Sequence, residues 1–485
     1  MGSTLSNTVL KGTGLSAAQL ASLAAKPAAV DADPAAREQV RRAWQTAVET
    51  AAHRPVYGRT TGVGANRGVA VDGAEAGNAQ DLRLLRSHAT GSGALLPSTA
   101  VRAAMLVRMN QLLKGGSGIH PDIIDALLRC LADGDLPRVH SHGAIGTADL
   151  SAFAEIALGL MGEVPLASGA LRSYWTPAIG DALPFISTNA LTAASTALAL
   201  AEAELWLEHY LHASACSLMA VNGSLEPFAD EVHLARPLPG QAWAAAQIRH
   251  LLTGYAQHQW RVQDSFGFRT LAQVAGALRS SLDALTQVLE IELNASTENP
   301  LVSPAARDVF HNGNFHLVEL ALALDHTKLA IYSTAQLSGA RLNNLSDPGM
   351  TGQAPFLAVG EPGSSGIMLL EYNCAAALAR LRNAAAPATL GAAVISRGFE
   401  DHSSFASQAA EQLHSCLEAA ATALGCELYA AVRALSITGA EPPSGTELGR
   451  YLAKARGLFD ASLADRPLGG DLAAAVGFLQ QPIES

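Results

Sequence analysis

The side chains able to do chemistry in this chain lie in six polar, mostly glycine-rich segments: Tyr57 to Gly64 (Tyr-Gly-Arg-Thr-Thr-Gly-Val-Gly), His142 to Leu150, Val262 to Arg269, Glu298 to Leu301, Asn312 to His316 and Phe399 to Phe405. Loops carried on a rigid scaffold are where binding and catalysis concentrate. A phenol such as Tyr57 is a useful base only if its pKa is depressed, and the Arg59 cation two residues on would favour the phenolate. Asp149 reads as the N-cap of a helix over Leu150–Met161, which would set Thr147 and Ala148 at a positive helix end that favours an anionic intermediate. Glu400 and Asp401 read either as functional carboxylates or as caps of a helix beginning near Ser403.

Other chemistries are excluded. His140-x-His142 and His311…His316 lack the carboxylate or third histidine of a zinc site, so no metal is expected. Gly62-Val63-Gly64 has no β-α-β context and is not a dinucleotide loop. The cysteines Cys130, Cys216, Cys374, Cys416 and Cys426 are odd in number and form no CxxC pair, so reduced, mostly buried thiols are expected. With 32 Lys+Arg against 43 Asp+Glu, net −11, and no basic stripe, the chain offers no nucleic-acid footprint. A hydrophobic fraction of 49% with only 15% charged residues excludes disorder as the main state. Met1-Gly2-Ser3-Thr4 lacks the features of a signal peptide, and the uncharged stretch Ala182–Ala201 contains Pro184, Ser187, Thr188 and Asn189, a poor membrane span. A soluble cytoplasmic protein with a small-molecule partner is expected.

The elements that must position these loops read as helices. The 485 residues allow two or three ordinary domains or one large helical assembly. A short extended piece comes first. Ser16 then caps Ala17–Ala25, and Asp33-Pro34 opens a second helix. Further helices are expected over Thr99–Leu113, stopped by Gly115-Gly116, and Pro121–Ala132, stopped by Gly134. Long apolar-periodic segments follow at Ala190–Ala213, Leu271–Leu293, Phe315–Leu337, Met368–Ala386 and Ser404–Leu435. Their low charge implies burial on more than one side, which a bundle extended by self-association satisfies. The expected fold is all-α: residues 1–185 form a loop-rich region with the Tyr57 loop, 186–440 a central long-helix bundle and 441–485 a C-terminal tail with helices, folded as one unit.

The ordered set of loops, together with Leu85-Arg86-Ser87-His88, Gly116-Ser117-Gly118-Ile119, Gln263-Asp264, Gly313-Asn314-Phe315-His316, Pro355-Phe356-Leu357, Gly363-Ser364-Ser365-Gly366-Ile367-Met368 and Glu400-Asp401-His402, resembles the histidine and aromatic amino-acid ammonia-lyase family from about the first helix to Leu435. The resemblance implies a mostly helical homotetramer that removes a β-proton and ammonia from an α-amino acid. It also implies a methylidene-imidazolone electrophile, made from Ala-Ser-Gly by serine dehydration and closure through the glycine nitrogen. By the same resemblance Tyr57 is the β-proton base, Arg269 pairs with the substrate carboxylate, and Glu400 and His88 face an imidazole. Asn314 and Phe315 line the site, and Gln263 belongs to the Arg269 motif.

The chain departs from the family at the electrophile. Gly146-Thr147-Ala148 stands where the family has Ala-Ser-Gly, before a matching Asp149-Leu150. Dehydrated threonine would carry an extra methyl on the electrophilic carbon, and alanine in place of glycine would crowd ring closure. Phe266 replaces the tyrosine of the Gln-Asp-x-Tyr-x-x-Arg motif. Asn-Gly-Thr is degraded to Asn189-Ala190-Leu191-Thr192, and Glu-Asn-Lys is replaced around Arg380-Leu381-Arg382. Loss of the prosthetic group would explain these changes together, so no cofactor is expected. The reading is a carbon–nitrogen lyase acting without the imidazolone on a histidine-like amino acid or betaine such as ergothioneine or hercynine. A conventional ammonia-lyase or aminomutase with a variant Gly-Thr-Ala group, and a silent amino-acid-binding homologue, are the alternatives.

Overall fold

The computed structural model describes residues 8–25, 29–71, 78–255 and 261–483. Met1-Gly2-Ser3-Thr4 lies outside them. The chain divides into two compact units, each assembled from separate stretches: Met1–Ala201, Thr286–Leu324 and Pro387–Glu411 in the first, Glu202–Leu285, Asp325–Ala386 and Gln412–Ser485 in the second. The fold is mostly helical, as the apolar periodicity requires. Among the described residues the strands form short two-stranded pairs: Thr8–Leu10 parallel to Val30–Ala32, Ser92–Leu95 antiparallel to His140–His142, and Leu301–Ser303 antiparallel to Asp308–Phe310.

Local signals set the helices of the first unit. Ser16 Oγ accepts from Gln19 N at 3.1 Å ahead of Ala17–Ala25. Asp33 accepts from Ala35 N and Ala36 N at 2.9 and 3.0 Å, with Pro34 opening Pro34–Ala51. That helix buries Ala36, Val40, Ala43 and Ala47, a stripe at helical spacing. Asp122–Asp133 and Leu150–Met161 end on Gly134 and Gly162, both left-handed at φ 75°. Ser98–Leu113 is buried almost all round, Arg108 included.

Four long helices have residues in both units: Ala190–Ala220, Leu271–Leu293, Val318–Ser346 and Ala406–Thr438. The stretches Ala182–Ala220 and Ala406–Thr438 are long and apolar enough to cross a membrane. Yet 78% and 83% of their most apolar windows are buried within the protein, so their apolarity already has a protein partner. In the second unit Arg341 on Val318–Ser346 and Glu427 on Ala406–Thr438 form a wholly buried pair, with Nε and Nη2 donating to the carboxylate at 2.6 and 2.8 Å. The Tyr210 hydroxyl accepts from Arg341 at 3.0 Å and Ser217 donates to Glu427 at 2.7 Å, so the charges are closed off by hydrogen bonds.

Candidate active site

The Tyr57 loop is built by short-range contacts. Val56 is buried and its carbonyl accepts from the amides of Arg59 and Thr60, while Val56 N donates to Thr60 Oγ1 at 2.8 Å. Gly58 sits at φ +71°, where a Cβ would overlap Leu183, so only glycine lets the loop lie this close. The tyrosine is then fixed at both ends. Its amide donates to His311 Nε2 at 3.2 Å, and its phenol oxygen accepts from Gly64 N at 2.7 Å. Burial pushes the phenol pKa above its ordinary value, the opposite of the depression expected for a phenol base, so any role as base falls to the small ionised fraction, which grows as pH rises. The Gly64 amide opposes that shift, Glu400 adds to it, and Arg67 opposes it.

Arg59 does not play the part expected of it. Its guanidinium donates to the carbonyls of Gly118 at 2.8 Å and Ile179 at 3.2 Å, in the field of Asp181 and Asp81. The cation that acts on the phenol is Arg67. The two-residue spacing suggested proximity, but the turn sends the Arg59 side chain to carbonyls that only the fold brings near.

His88 and Glu400 join Tyr57. The His88 Nδ1 contact to Leu84 O at 2.9 Å requires the proton on Nδ1, leaving Nε2 as an acceptor. Burial lowers the His88 pKa, with the Leu84 carbonyl and Glu400 opposing. Glu400 thus acts on both Tyr57 and His88. It lies on a turn closed by Ile395 N donating to Glu400 O at 2.8 Å. The observed helix begins at Ala406, where Ser404 Oγ accepts from Ala406 N at 3.3 Å, so Glu400 and Asp401 are not its caps. Phe315 is tied to Asn189 Nδ2 through its carbonyl at 2.7 Å, Asn314 N donates to Asn312 Oδ1 at 2.8 Å, and His316 Nε2 meets His402 Nδ1 at 2.9 Å. All of these residues belong to the first unit.

Gln263, Phe266 and Arg269 belong to the second unit and form a cluster of their own. Arg269 donates to Gln263 Oε1, and its guanidinium lies 4.5 Å over the Phe266 ring. Phe266 is 64% exposed, so the planar donor fork is presented at the surface of that unit.

The Gly146-Thr147-Ala148 segment is held by Ser404 Oγ donating to Gly146 O at 3.0 Å, Phe405 N to Ile145 O at 3.0 Å and Gln408 Nε2 to Ala144 O at 2.7 Å. Gly146 is buried at φ +81°, and a Cβ there would overlap the Ser404 hydroxyl, with Phe405 N at 2.8 Å. The space for the alanine methyl of an Ala-Ser-Gly triplet is therefore occupied by Ser404. Ala148 is buried at φ +89°, a conformation natural to glycine and strained for alanine. The second position is threonine rather than serine. These residues do not fit an imidazolone built in the ordinary way.

Asp149 departs from its expected role in an informative way. It occupies the N-cap position of Leu150–Met161 without a side-chain cap bond. Its carboxylate instead accepts from Thr192 N at 2.8 Å and Thr192 Oγ1 at 2.7 Å, at the start of Ala190–Ala220. Burial pushes its pKa up from 3.8 to about 6, against the Thr192 and Leu191 bonds. Because the folded pKa is the higher one, the folded state binds the proton more tightly than the unfolded chain. This group's contribution is full below about pH 4 and is lost as pH rises through about 6, a fall of about 3 kcal/mol. Urea denaturation across that range is expected to show the fall, and Asp149→Asn to flatten it. An unchanged slope in Asp149→Asn would assign the titration to another group.

Sequence reasoning missed Ser404, Arg67 and the Gly64 amide. Ser404 and Gly146 are 258 residues apart, and no local pattern links them. Gly64 did carry a signal, as the last glycine of the Tyr57 loop.

Comparison with known proteins bears on this geometry. Residues 15–457 match the family described as aromatic amino acid lyase. Histidine ammonia-lyase of Anaeromyxobacter sp. (strain K) is 34% identical over 460 residues, covering 88% of this chain and 90% of the relative. Histidine ammonia-lyase of Geobacillus thermodenitrificans (strain NG80-2) is 34% identical over 468 residues, covering 92% and 91%. Among solved structures, the ergothioneine-degrading ergothionase of Treponema denticola, in complex with desmethyl-ergothioneine sulfonic acid, superposes with a TM-score of 0.92 at 24% identity over 98% of both chains. Tyrosine aminomutase of Streptomyces globisporus gives 0.91 at 25% identity over 98% of this chain and 97% of the other. At 24% identity the ergothionase likeness shows the fold alone.

Proposed function

The chain belongs to the aromatic amino acid lyase family and is a carbon–nitrogen lyase of the ammonia-lyase type, and from that premise we propose that it releases its amine without the imidazolone electrophile, from a betaine of histidine such as ergothioneine or hercynine. The observation that carries this reading is the triplet. Ser404 fills the place of the first methyl, and Ala148 bears a side chain at a glycine-like φ. In the proposed elimination, Tyr57 takes the β-proton. The C–H electron pair becomes the Cα=Cβ bond, and the Cα–N pair leaves with neutral trimethylamine. A quaternary ammonium has no lone pair or N–H with which to form an adduct, so an electrophile would be useless to it. It is already an activated leaving group. Arg269 would hold the carboxylate, and His88 and Glu400 would face the imidazole.

Histidine itself is the second reading, favoured by the 34% identity to histidine ammonia-lyases. A panel of ergothioneine, hercynine, histidine, phenylalanine and tyrosine separates the outcomes. Trimethylamine release is expected. Ammonia from an ordinary amino acid would replace the betaine reading, and tight binding without turnover would point to a silent homologue. We further propose a cytoplasmic homotetramer. The cysteines are free and buried, in keeping with a reducing compartment. The helix Val318–Ser346 leaves Val318, Leu322 and Leu329 exposed on one face, the kind of surface that a second copy covers.

A further inference from the structure

Resting on the reading of Tyr57 as the base, we propose that Ser396 is a positioning residue for it: the Ser396 hydroxyl fastens the turn whose amide holds the Tyr57 phenol. The contacts run in series. Gly64 N donates to the phenol oxygen at 2.7 Å, and the next amide, Ala65 N, donates to Ser396 Oγ at 3.0 Å. The approach depends on glycine, since a Cβ on Gly64, at φ +56°, would stand 2.7 Å from Ser396 Oγ. A second clasp lies just beyond, with the Arg67 guanidinium 3.8 Å over the Phe399 ring. Ser396, Phe399 and Glu400 all belong to the turn closed between Ile395 and Glu400. One turn therefore grips the base loop at two points and supplies the Glu400 carboxylate that acts on the phenol.

The turn is built at a cost that its shape alone does not explain. Ser396 and Arg397 are consecutive non-glycine residues in the left-handed region, at φ +52° and +57°. Such conformations persist where the surroundings demand them and cluster at functional sites. Glycine would adopt the same backbone more easily. What serine adds at position 396 is the acceptor. Without it, the Gly64–Asn66 turn loses its anchor and the Gly64 amide can leave the phenol. That amide is the main group opposing the upward pressure of burial on Tyr57. Among the described residues, Glu400 and Arg67 are the charged groups that act on the phenol, and His311 accepts from the Tyr57 amide. Glu400 raises the phenol pKa and Arg67 lowers it, so losing the amide leaves a phenol harder to ionise.

The test is Ser396→Gly in the full chain, which suits the backbone and removes the hydroxymethyl side chain that carries the acceptor. With whichever substrate of the panel is turned over, kcat is expected to fall about tenfold, the size of one lost hydrogen bond at its upper range. KM should stay within about twofold, and the kcat profile should move to higher pH. The thermal midpoint should hold or rise. Tyrosinate absorbance, titrated against a Tyr57→Phe blank, reads the same shift without substrate. Arg397→Gly relieves the neighbouring strain without touching the hydroxyl and should change neither quantity. An unchanged titration in Ser396→Gly, or an equal shift in Arg397→Gly, overturns the proposal. Full activity in Tyr57→Phe would instead overturn the assignment of the base, a separate outcome.

Discussion

Tyr57→Phe is expected to lower kcat by about 10²–10⁴-fold while the protein stays folded, because it removes the base and little else. The ring would still meet His311 edge to face, with centroids 6.5 Å apart, and the backbone bond to His311 would be untouched. The Gly64 amide would lose its acceptor, a penalty of about 1–3 kcal/mol if no water replaces the phenol. Substrate binding should change little, since a proton acceptor acts mainly in the transition state. Burial holds the phenol pKa up, so the resting side chain is protonated at neutral pH. Turnover is therefore expected to climb into the alkaline range, and a rate independent of pH above neutrality would argue against a phenol base. Steady-state kinetics of the purified variant, with circular dichroism to check its fold, decide the matter. A kcat within twofold of the parent would remove Tyr57 from the mechanism.

Glu298→Ala is expected to cost about 3–5 kcal/mol of stability, because it strands a buried cation. Arg108 and Glu298 are both wholly buried, 2.9 Å apart, and Arg108 also donates to the carbonyls of Phe185 and Pro184. Burial pushes the Glu298 carboxyl up and the Arg108 guanidinium down, and each charge is what keeps the other ionised. The pair anchors a segment in which the Asn299 side-chain oxygen accepts from Asn312 N and the Glu298 carbonyl accepts from Asn312 Nδ2, so its loss should also loosen the Asn312–His316 loop. Urea denaturation of the variant is expected to show a much lower midpoint. Glu298→Gln, which keeps the shape and one acceptor, should lose less. Equal stability of Glu298→Ala and the parent would mean that Arg108 finds another partner or gives up its proton.

The helices were legible wherever apolar periodicity and a local stop signal coincide. Leu271–Leu293 falls where the periodicity places it, and Asp122–Asp133 stops at Gly134 as expected. Ends were missed where a tertiary contact overrides the local pattern. The periodicity suggested Phe315–Leu337, but the helix runs Val318–Ser346, because Arg341 in its final third is neutralised by Glu427, far along the chain. The expected start at Ser404 moves to Ala406, after Phe405 turns left-handed at φ +55° beneath the triplet. The pairing of Ser92–Leu95 with His140–His142 joins segments with no sequence signal for each other.

The site was legible in its residue types and less so in its contacts. The motif strings singled out Tyr57, His88 and Glu400, and in the fold the Glu400 charge bears on both the Tyr57 phenol and the His88 ring. Arg59 and Asp149 were read from spacing along the chain, and spacing does not say where a side chain points. Arg59 turns to the Gly118 and Ile179 carbonyls, and Asp149 caps a helix that starts 41 residues later. The most consequential contact, Ser404 in the space of a triplet methyl, exists only once Phe399–Phe405 is laid against His142–Leu150.

The central claim, amine elimination without an imidazolone, is tested most directly by the mass of the peptide from His142 to Leu150, cut from a preparation whose amine release has been measured. An unmodified Gly146-Thr147-Ala148 in protein that releases trimethylamine from ergothioneine or hercynine is the predicted result. A peptide lighter by two water molecules would contradict it, because the triplet would then have cyclised despite Ser404 and Ala148.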